Sequence, residues 1–197
     1  SLKFIPDLKI RVASVSYQGI MAKQVSFITK KVVKEHDFIP LIRKSKLKEP
    51  IKNDAIKIIN RIFDAEKKVH GAKDLHLHEL ADVDTIIDIT GVLLALDSLN
   101  VAKVYSRPLK AGTGLIDTVE GKMPAFNLAT AQLLKDAPVE FLPIPFEFTT
   151  PTAAAILSTI AEFTDLLTIN KIEKIGLGAG AMKIAGYPNL LRAFLGE

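Results

Sequence analysis

The sequence predicts an α+β fold of mixed α/β type, with strands and helices interleaved through hairpin-like connections around a buried central helix. Three observations carry that expectation. A pair of β-rich runs separated by a glycine opens the chain, two stretches of helical apolar spacing follow, and the second of these is apolar on nearly every side. The 197 residues are 48% hydrophobic and 24% charged, an ordinary globular balance. They are expected to form a single compact domain over 1–197, with any subdivision near residue 100.

The elements follow in order. "LKIRVASVSY" and "AKQVSFITKKV" are rich in Val, Ile, Phe and Tyr and read as a hairpin joined through Gly19. "EPIKNDAIKIINRIFDAEKKVHG" places Ile51, Ala55, Ile58, Ile59, Ile62, Phe63 and Val69 at helical spacing, with Pro50 at its start and Gly71 just past its end. "DVDTIIDITGVLLALDSLN" is the buried central helix, and its acids need partners. Next come a strand in "VAKVYSRPL", a loop "KAGTG", a short strand "LIDTV" and a turn "EGKMP". A helix is expected in "LATAQLLKDA", then extended chain in "VEFLPIPFEFT", whose two prolines disfavour a central strand. Behind Pro151, "TAAAILSTIAEF" reads as another helix, and "LTINKIEKIGLGAG" and "NLLRAFLG" as two closing strands.

Composition narrows the function. With no cysteine in the chain, any metal must be held by nitrogen and oxygen. The net charge of +4 suits anionic ligands, but no basic run exceeds two residues and tryptophan is absent, so nucleic acid is not an expected partner. The most apolar run carries Asp84, Asp88 and Asp97 and is too short and too charged to span a bilayer; no secretory signal is evident. A soluble, cytoplasmic protein without a membrane partner is expected. The chain opens on Ser1, as a piece of something longer would.

One segment concentrates the chemistry. Three of the four histidines, His70, His76 and His78, lie in "VHGAKDLHLHELADVDTIIDITG", along with Asp74, Glu79, Asp82, Asp84 and Asp88. In extended chain "DLHLHEL" turns His76 and His78 to one side, and Asp84 and Asp88 fall one turn apart on the following helix. Imidazole and carboxylate at such spacing are the raw material of a divalent-metal site. The plainer reading stays open: His70 satisfying carbonyls at a helix end, His76 and His78 facing water, His36 on the surface. "GLGAG", Gly176 to Gly180, lacks dinucleotide-cradle spacing and reads as a tight turn, and the threonines of "TTPTAAA" read first as an N-cap, with Glu147 an unassigned acid close by.

The order of "AEKKVHGAKDLHLHELADVDTIIDITGVLLALDSL", "PLKAGTG", "TPTAAAIL", "GLGAG" and "PNLLR" closely resembles the nickel insertion proteins of nickel-pincer nucleotide biosynthesis, the LarC family. His70, His76, His78, Glu79, Asp84, Asp88 and Gly91 fall on its signature positions. The resemblance implies a nickel chelatase or cyclometallase of the lyase class, dependent in full-length members on CTP with a divalent metal. Such an enzyme places nickel into the anionic pyridinium-3,5-bisthiocarboxylic acid mononucleotide, for delivery to lactate racemase-type enzymes. It implies His76, His78, Asp84 and Asp88 as metal ligands, Glu79 and Asp84 as catalytic groups, and Arg107 and Lys110 as holders of the substrate phosphate. Three positions depart from the family pattern: Ala81, Glu120 and Ala153. Full-length members also carry a leading glycine-containing strand and a CTP-binding end domain, so a CTP site is not expected in this chain, and neither is complete turnover by it alone. Self-association is left open. So are two rivals: another metal-dependent enzyme such as a hydrolase, using a metal-bound water, and a non-catalytic assembly domain.

Overall fold

A computed structural model describes residues 2, 4–30, 33–70, 83–118, 121–166 and 169–197. In chain order the elements are β1 (Lys9–Tyr17), β2 (Ile20–Ile28), α1 (Glu35–Lys44), α2 (Glu49–His70), α3 (Val83–Ser98), β3 (Val104–Ser106), β4 (Leu109–Gly112), β5 (Leu115–Thr118) and β6 (Gly121–Pro124). Then follow α4 (Leu128–Leu133), β7 (Val139–Leu142), α5 (Pro151–Ile160), β8 (Ala161–Phe163), β9 (Ile172–Ala179) and β10 (Leu190–Gly196). The fold is mixed α and β, as the patterning predicts. The chain divides into two compact units, Ser1–Phe4 with Lys31–Asp165, and Ile5–Lys30 with Leu166–Glu197; residue 100 falls inside the larger one.

The larger unit is built on helices. On α2, Ile51, Ala55, Ile58, Ile59 and Ile62 are buried, as a 3.6-residue period requires when one stripe faces a core. α3 buries Val83, Thr85, Ile86, Ile87, Ile89, Thr90 and Leu93 and leaves a strip of exposed positions at 84, 88, 92 and 95. Burying Thr90 is tolerable because its Oγ1 donates to the Ile86 carbonyl at 2.6 Å. Arg61 ties three helices together: its guanidinium donates to the Ser158 carbonyl, the Ser158 hydroxyl and the Leu133 carbonyl at 2.9 to 3.1 Å. Two short parallel pairs, β3 with β8 and β4 with β7, and the β5–β6 hairpin complete this unit.

Several expectations needed correction at the ends of elements. The pattern assigned no element to 35–44, where α1 forms despite Pro40 because Phe38 and Ile42 are fully buried. "KAGTG" is not wholly loop: Lys110, Ala111 and Gly112 belong to β4, and a side chain at Gly112 would collide with the Phe146 and Ile144 carbonyl oxygens. Gly121 to Pro124 of the expected turn form β6. The helix behind Pro151 ends at Ile160, because Ala161–Phe163 pair with β3.

The smaller unit is one four-stranded sheet in the order β1-β2-β9-β10. Gln18 and Gly19, both with positive φ, make the two-residue hairpin turn between β1 and β2 that right-handed strand twist favours. β9 and β10 are antiparallel, and β2 meets β9 in parallel through Lys23 and Gly178. "GLGAG" is therefore mostly strand rather than a tight turn, since Gly176 to Ala179 lie in β9.

Candidate metal and substrate site

The acid pair on α3 is the part of the signature segment that the structure describes. Asp84 sits in the first turn, where the helix dipole favours negative charge, and Asp88 follows one turn later on the same exposed strip. The expectation that Asp88 is a buried carboxylate needs correction. Its backbone is flanked by buried isoleucines, but the α-helical period turns their side chains inward and Asp88 outward. Those apolar neighbours still remove enough water to push its carboxyl above the ordinary 3.8, and the like charge of Asp84 pushes it further. Two carboxyl groups thus lie one helical turn apart on the exposed strip of α3.

They do not make a closed metal site. Among the described residues no group of three or more His, Cys, Asp or Glu side chains could hold a metal ion. His76, His78 and Glu79 lie outside the described residues, as does the side chain of His70. His36 is on the surface, 3.7 Å from the Asp37 carboxylate.

Arg107 and Lys110 stand three residues apart at the junction of β3 and β4. The Arg107 guanidinium is exposed and lies 3.8 Å from the Asp165 carboxylate. Lys110 lies within β4, half-buried, and its carbonyl accepts the Thr149 hydroxyl at 2.8 Å. That bond ties the segment before α5 to the parallel β4–β7 pair. Gly112 and Leu142 lie side by side where these strands end, and the Ile144 carbonyl accepts the Thr113 amide at 3.1 Å. Carboxyl ends of parallel strands are where open α/β sheets bind small ligands.

Two residues join this corner. Asn127 caps α4, its Oδ1 accepting the Thr130 amide at 2.7 Å, and its Nδ2 donates to Glu147 Oε1 at 2.9 Å. One side chain therefore starts a helix and orients a carboxylate. Glu147 was visible in the sequence as an acid without a role, whereas Asn127 went unremarked, although Asn before an apolar helical run is an N-cap signal. The threonines before α5 prove to be the ordinary cap: Thr150 Oγ1 accepts the Ala153 amide at 3.3 Å.

Comparison with known proteins places this geometry in a family. Residues 1–197 match the family model described as nickel insertion protein. A "Pyridinium-3,5-bisthiocarboxylic acid mononucleotide nickel insertion protein" of Geobacillus kaustophilus is 38% identical over 163 residues, 82% of this chain and 40% of that protein. A relative from Clostridium kluyveri with the same name is 36% identical over 164 residues, 82% of this chain and 41% of its own. A further relative, from Dictyoglomus thermophilum, is 40% identical over 163 residues, 82% of this chain and 42% of its own. The chain thus spans about two fifths of the length of the curated relatives it matches. No solved structure matches it. A family match over every residue, with the acid pair of the signature segment in place on α3, means that this chain belongs to the nickel insertion protein family.

Proposed function

We propose that this chain handles metal and substrate in the insertion of nickel into pyridinium-3,5-bisthiocarboxylic acid mononucleotide. The observation that carries the reading is the family match over residues 1–197, and the names of the Geobacillus and Clostridium relatives supply the substrate. Nickel is cargo here. Asp84 and Asp88 offer it two oxygens, and the imidazoles of His76 and His78 would complete a nitrogen and oxygen set that a sulfur-bearing ligand can strip, because divalent nickel accepts imidazole and then favours a tetragonal site. The substrate brings the sulfur that the cysteine-free chain lacks. Lys110, with Arg107 beside it, is assigned to the substrate phosphate. Glu79 is assigned to the ring proton displaced when nickel bonds to carbon, with Asp84 next to it on the metal side.

CTP use with its divalent metal belongs, in this reading, to the part of the relatives' length that this chain does not match, so the chain alone should not complete turnover. Delivery to lactate racemase-type enzymes comes with the resemblance, cytoplasmic residence stays the expectation from composition, and self-association stays open. Among the described residues no helix is long and apolar enough to cross a membrane. The hydrolase reading and the assembly-domain reading have no observation in their favour.

Equilibrium dialysis with metal quantitation tests the reading on the unmodified chain, an Asp84→Asn/Asp88→Asn variant and a His76→Ala/His78→Ala variant. We expect one nickel on the unmodified chain and at least roughly tenfold weaker retention in each variant, since losing even an outer partner of a metal ligand typically costs about 10–100-fold. Equal retention by all three, or none by any, overturns it.

A further inference from the structure

Glu147 is a half-buried acid that the proposed reaction leaves without a task, and the backbone around it is fixed on both sides. After β7 the chain turns back across the end of β4, where the Thr113 amide and hydroxyl donate to the Ile144 and Leu142 carbonyls, both at 3.1 Å. The Phe146 carbonyl then abuts Gly112 so closely that even a methyl group there would collide with it. Two residues past Glu147, the hydroxyl of the buried Thr149 closes on the Lys110 carbonyl at 2.8 Å. Glu147 is therefore carried along β4 between the contacts at Gly112 and at Lys110.

Its carboxylate is oriented as well as placed. Asn127 Oδ1 is committed to the Thr130 amide at 2.7 Å, so the locked side-chain amide turns its Nδ2 toward Glu147, whose Oε1 accepts at 2.9 Å. An ionised carboxylate offers about four acceptor sites and can hold several donors at once. The substrate in the names of the Geobacillus and Clostridium relatives is a mononucleotide, which carries two neighbouring ribose hydroxyls as well as a phosphate. A carboxylate is what α/β sites turn on ribose hydroxyls at the ends of parallel strands. Nickel fits this corner less well, because no three metal-ligating side chains converge among the described residues.

We propose that Glu147, positioned by Asn127, accepts hydrogen bonds from the ribose hydroxyls of the mononucleotide substrate while Lys110 meets its phosphate. This rests on the substrate half of the proposed function and is independent of its metal half. The corner then selects a ribonucleotide against a form that lacks the diol.

Isothermal titration calorimetry with the nickel-free pyridinium-3,5-bisthiocarboxylic acid mononucleotide, and with its 2′,3′-dideoxy form, tests this on the unmodified chain, Glu147→Gln and Lys110→Met. The expected result is a preference of roughly tenfold or more for the ribonucleotide on the unmodified chain, the worth of a hydrogen bond to a charged acceptor. Most of that preference should vanish in Glu147→Gln, which keeps an oxygen for Asn127 but not the charge. A purely structural role would weaken both ligands equally and leave the preference intact. An unchanged preference in Glu147→Gln, or none in the unmodified chain, overturns the proposal; if Lys110→Met still weakens both ligands alike, the substrate reading outlives it. If the unmodified chain binds neither ligand, the substrate reading falls and the ribose assignment with it, whatever nickel dialysis shows. Should Glu147→Gln fail to fold, Asn127→Ser keeps Glu147 and a cap acceptor but removes the orienting amide. Its preference should fall in part, and an unchanged one overturns the proposal.

Discussion

The two compact units of this chain use apolar residues in opposite ways. In the helical unit Phe38, Ile42, Ile58, Ile59, Ile62, Ile86 and Ile89 are shut away from water, and Thr90 and Arg61 are tied down by hydrogen bonds, although the buried Thr130 hydroxyl has no partner. In the sheet unit β-branched and aliphatic side chains at the same sort of density remain exposed. The first unit is held by its own core, while the second has strand pairing and one covering loop. The lesson is that hydrophobic content alone does not tell where a fold is self-sufficient. The candidate metal and substrate groups that the structure describes all lie in the self-sufficient part, on α3, on β4 and at its edge.

The sharpest way to break this contrast is to cut the same kind of atom from each unit. Ile58→Ala leaves a cavity in a packed helix stripe and should cost about 2–5 kcal/mol. Val25→Ala removes a side chain already in water and should stay within about 0.5 kcal/mol. Urea denaturation followed by circular dichroism measures both. Comparable losses would mean that Val25 is covered in solution and that the contrast is false.

Smaller effects probe how tightly the corner around Gly112 and Glu147 is built. Gly112→Ala puts a methyl against the Phe146 and Ile144 carbonyl oxygens, which are backbone and cannot swing aside, so about 1–3 kcal/mol should be lost in the same assay. Asn127→Ala removes the α4 cap, for about 1 kcal/mol, and takes away one hydrogen bond to Glu147 at the same stroke. Asn127→Ser keeps a cap acceptor but loses the amide donor to Glu147 without setting a second carboxylate beside it. If stability recovers in Ser while Ala stays low, capping accounts for the loss; if both fall alike, the Glu147 contact does.

Much of this arrangement was legible in the sequence because local periodicity and packing agreed. α2 follows its 3.6-residue stripe from Pro50 onward, and the first hairpin forms where Gly19 permits a positive φ. The failures came where a partner distant in sequence decides the matter. β8 forms because β3 is there to pair with it, and α1 forms because Phe38 and Ile42 have a core to enter, although Pro40 breaks the local pattern. Gly112 looked like a loop residue because the carbonyls that crowd it come from residues 144 and 146. The site was legible as chemistry more than as geometry. Asp84 and Asp88 were correctly placed on one helix, but their side of it depends on how seven buried neighbours fill the core.

Asp88 gives the smallest and most specific test, because it is the point where the packed unit meets water. Its carboxyl titrates above 3.8 in the folded chain, through lost solvation first and the charge of Asp84 second. The folded state therefore holds that proton more tightly than the unfolded state does. As pH rises from below 3.8 through the folded value, the unfolded chain ionises first and stability falls; above that window the deficit is constant. Asp88→Asn cannot ionise, so with chelator present it should match the parent near pH 3 and exceed it at pH 7. Because the group is exposed, the gain should be only about a few tenths of a kcal/mol. Asp84→Asn should recover part of it by removing the like charge. A parent that instead becomes more stable relative to Asp88→Asn as the pH rises would mean that Asp88 has found a cationic partner and that α3 presents an ion pair to water there.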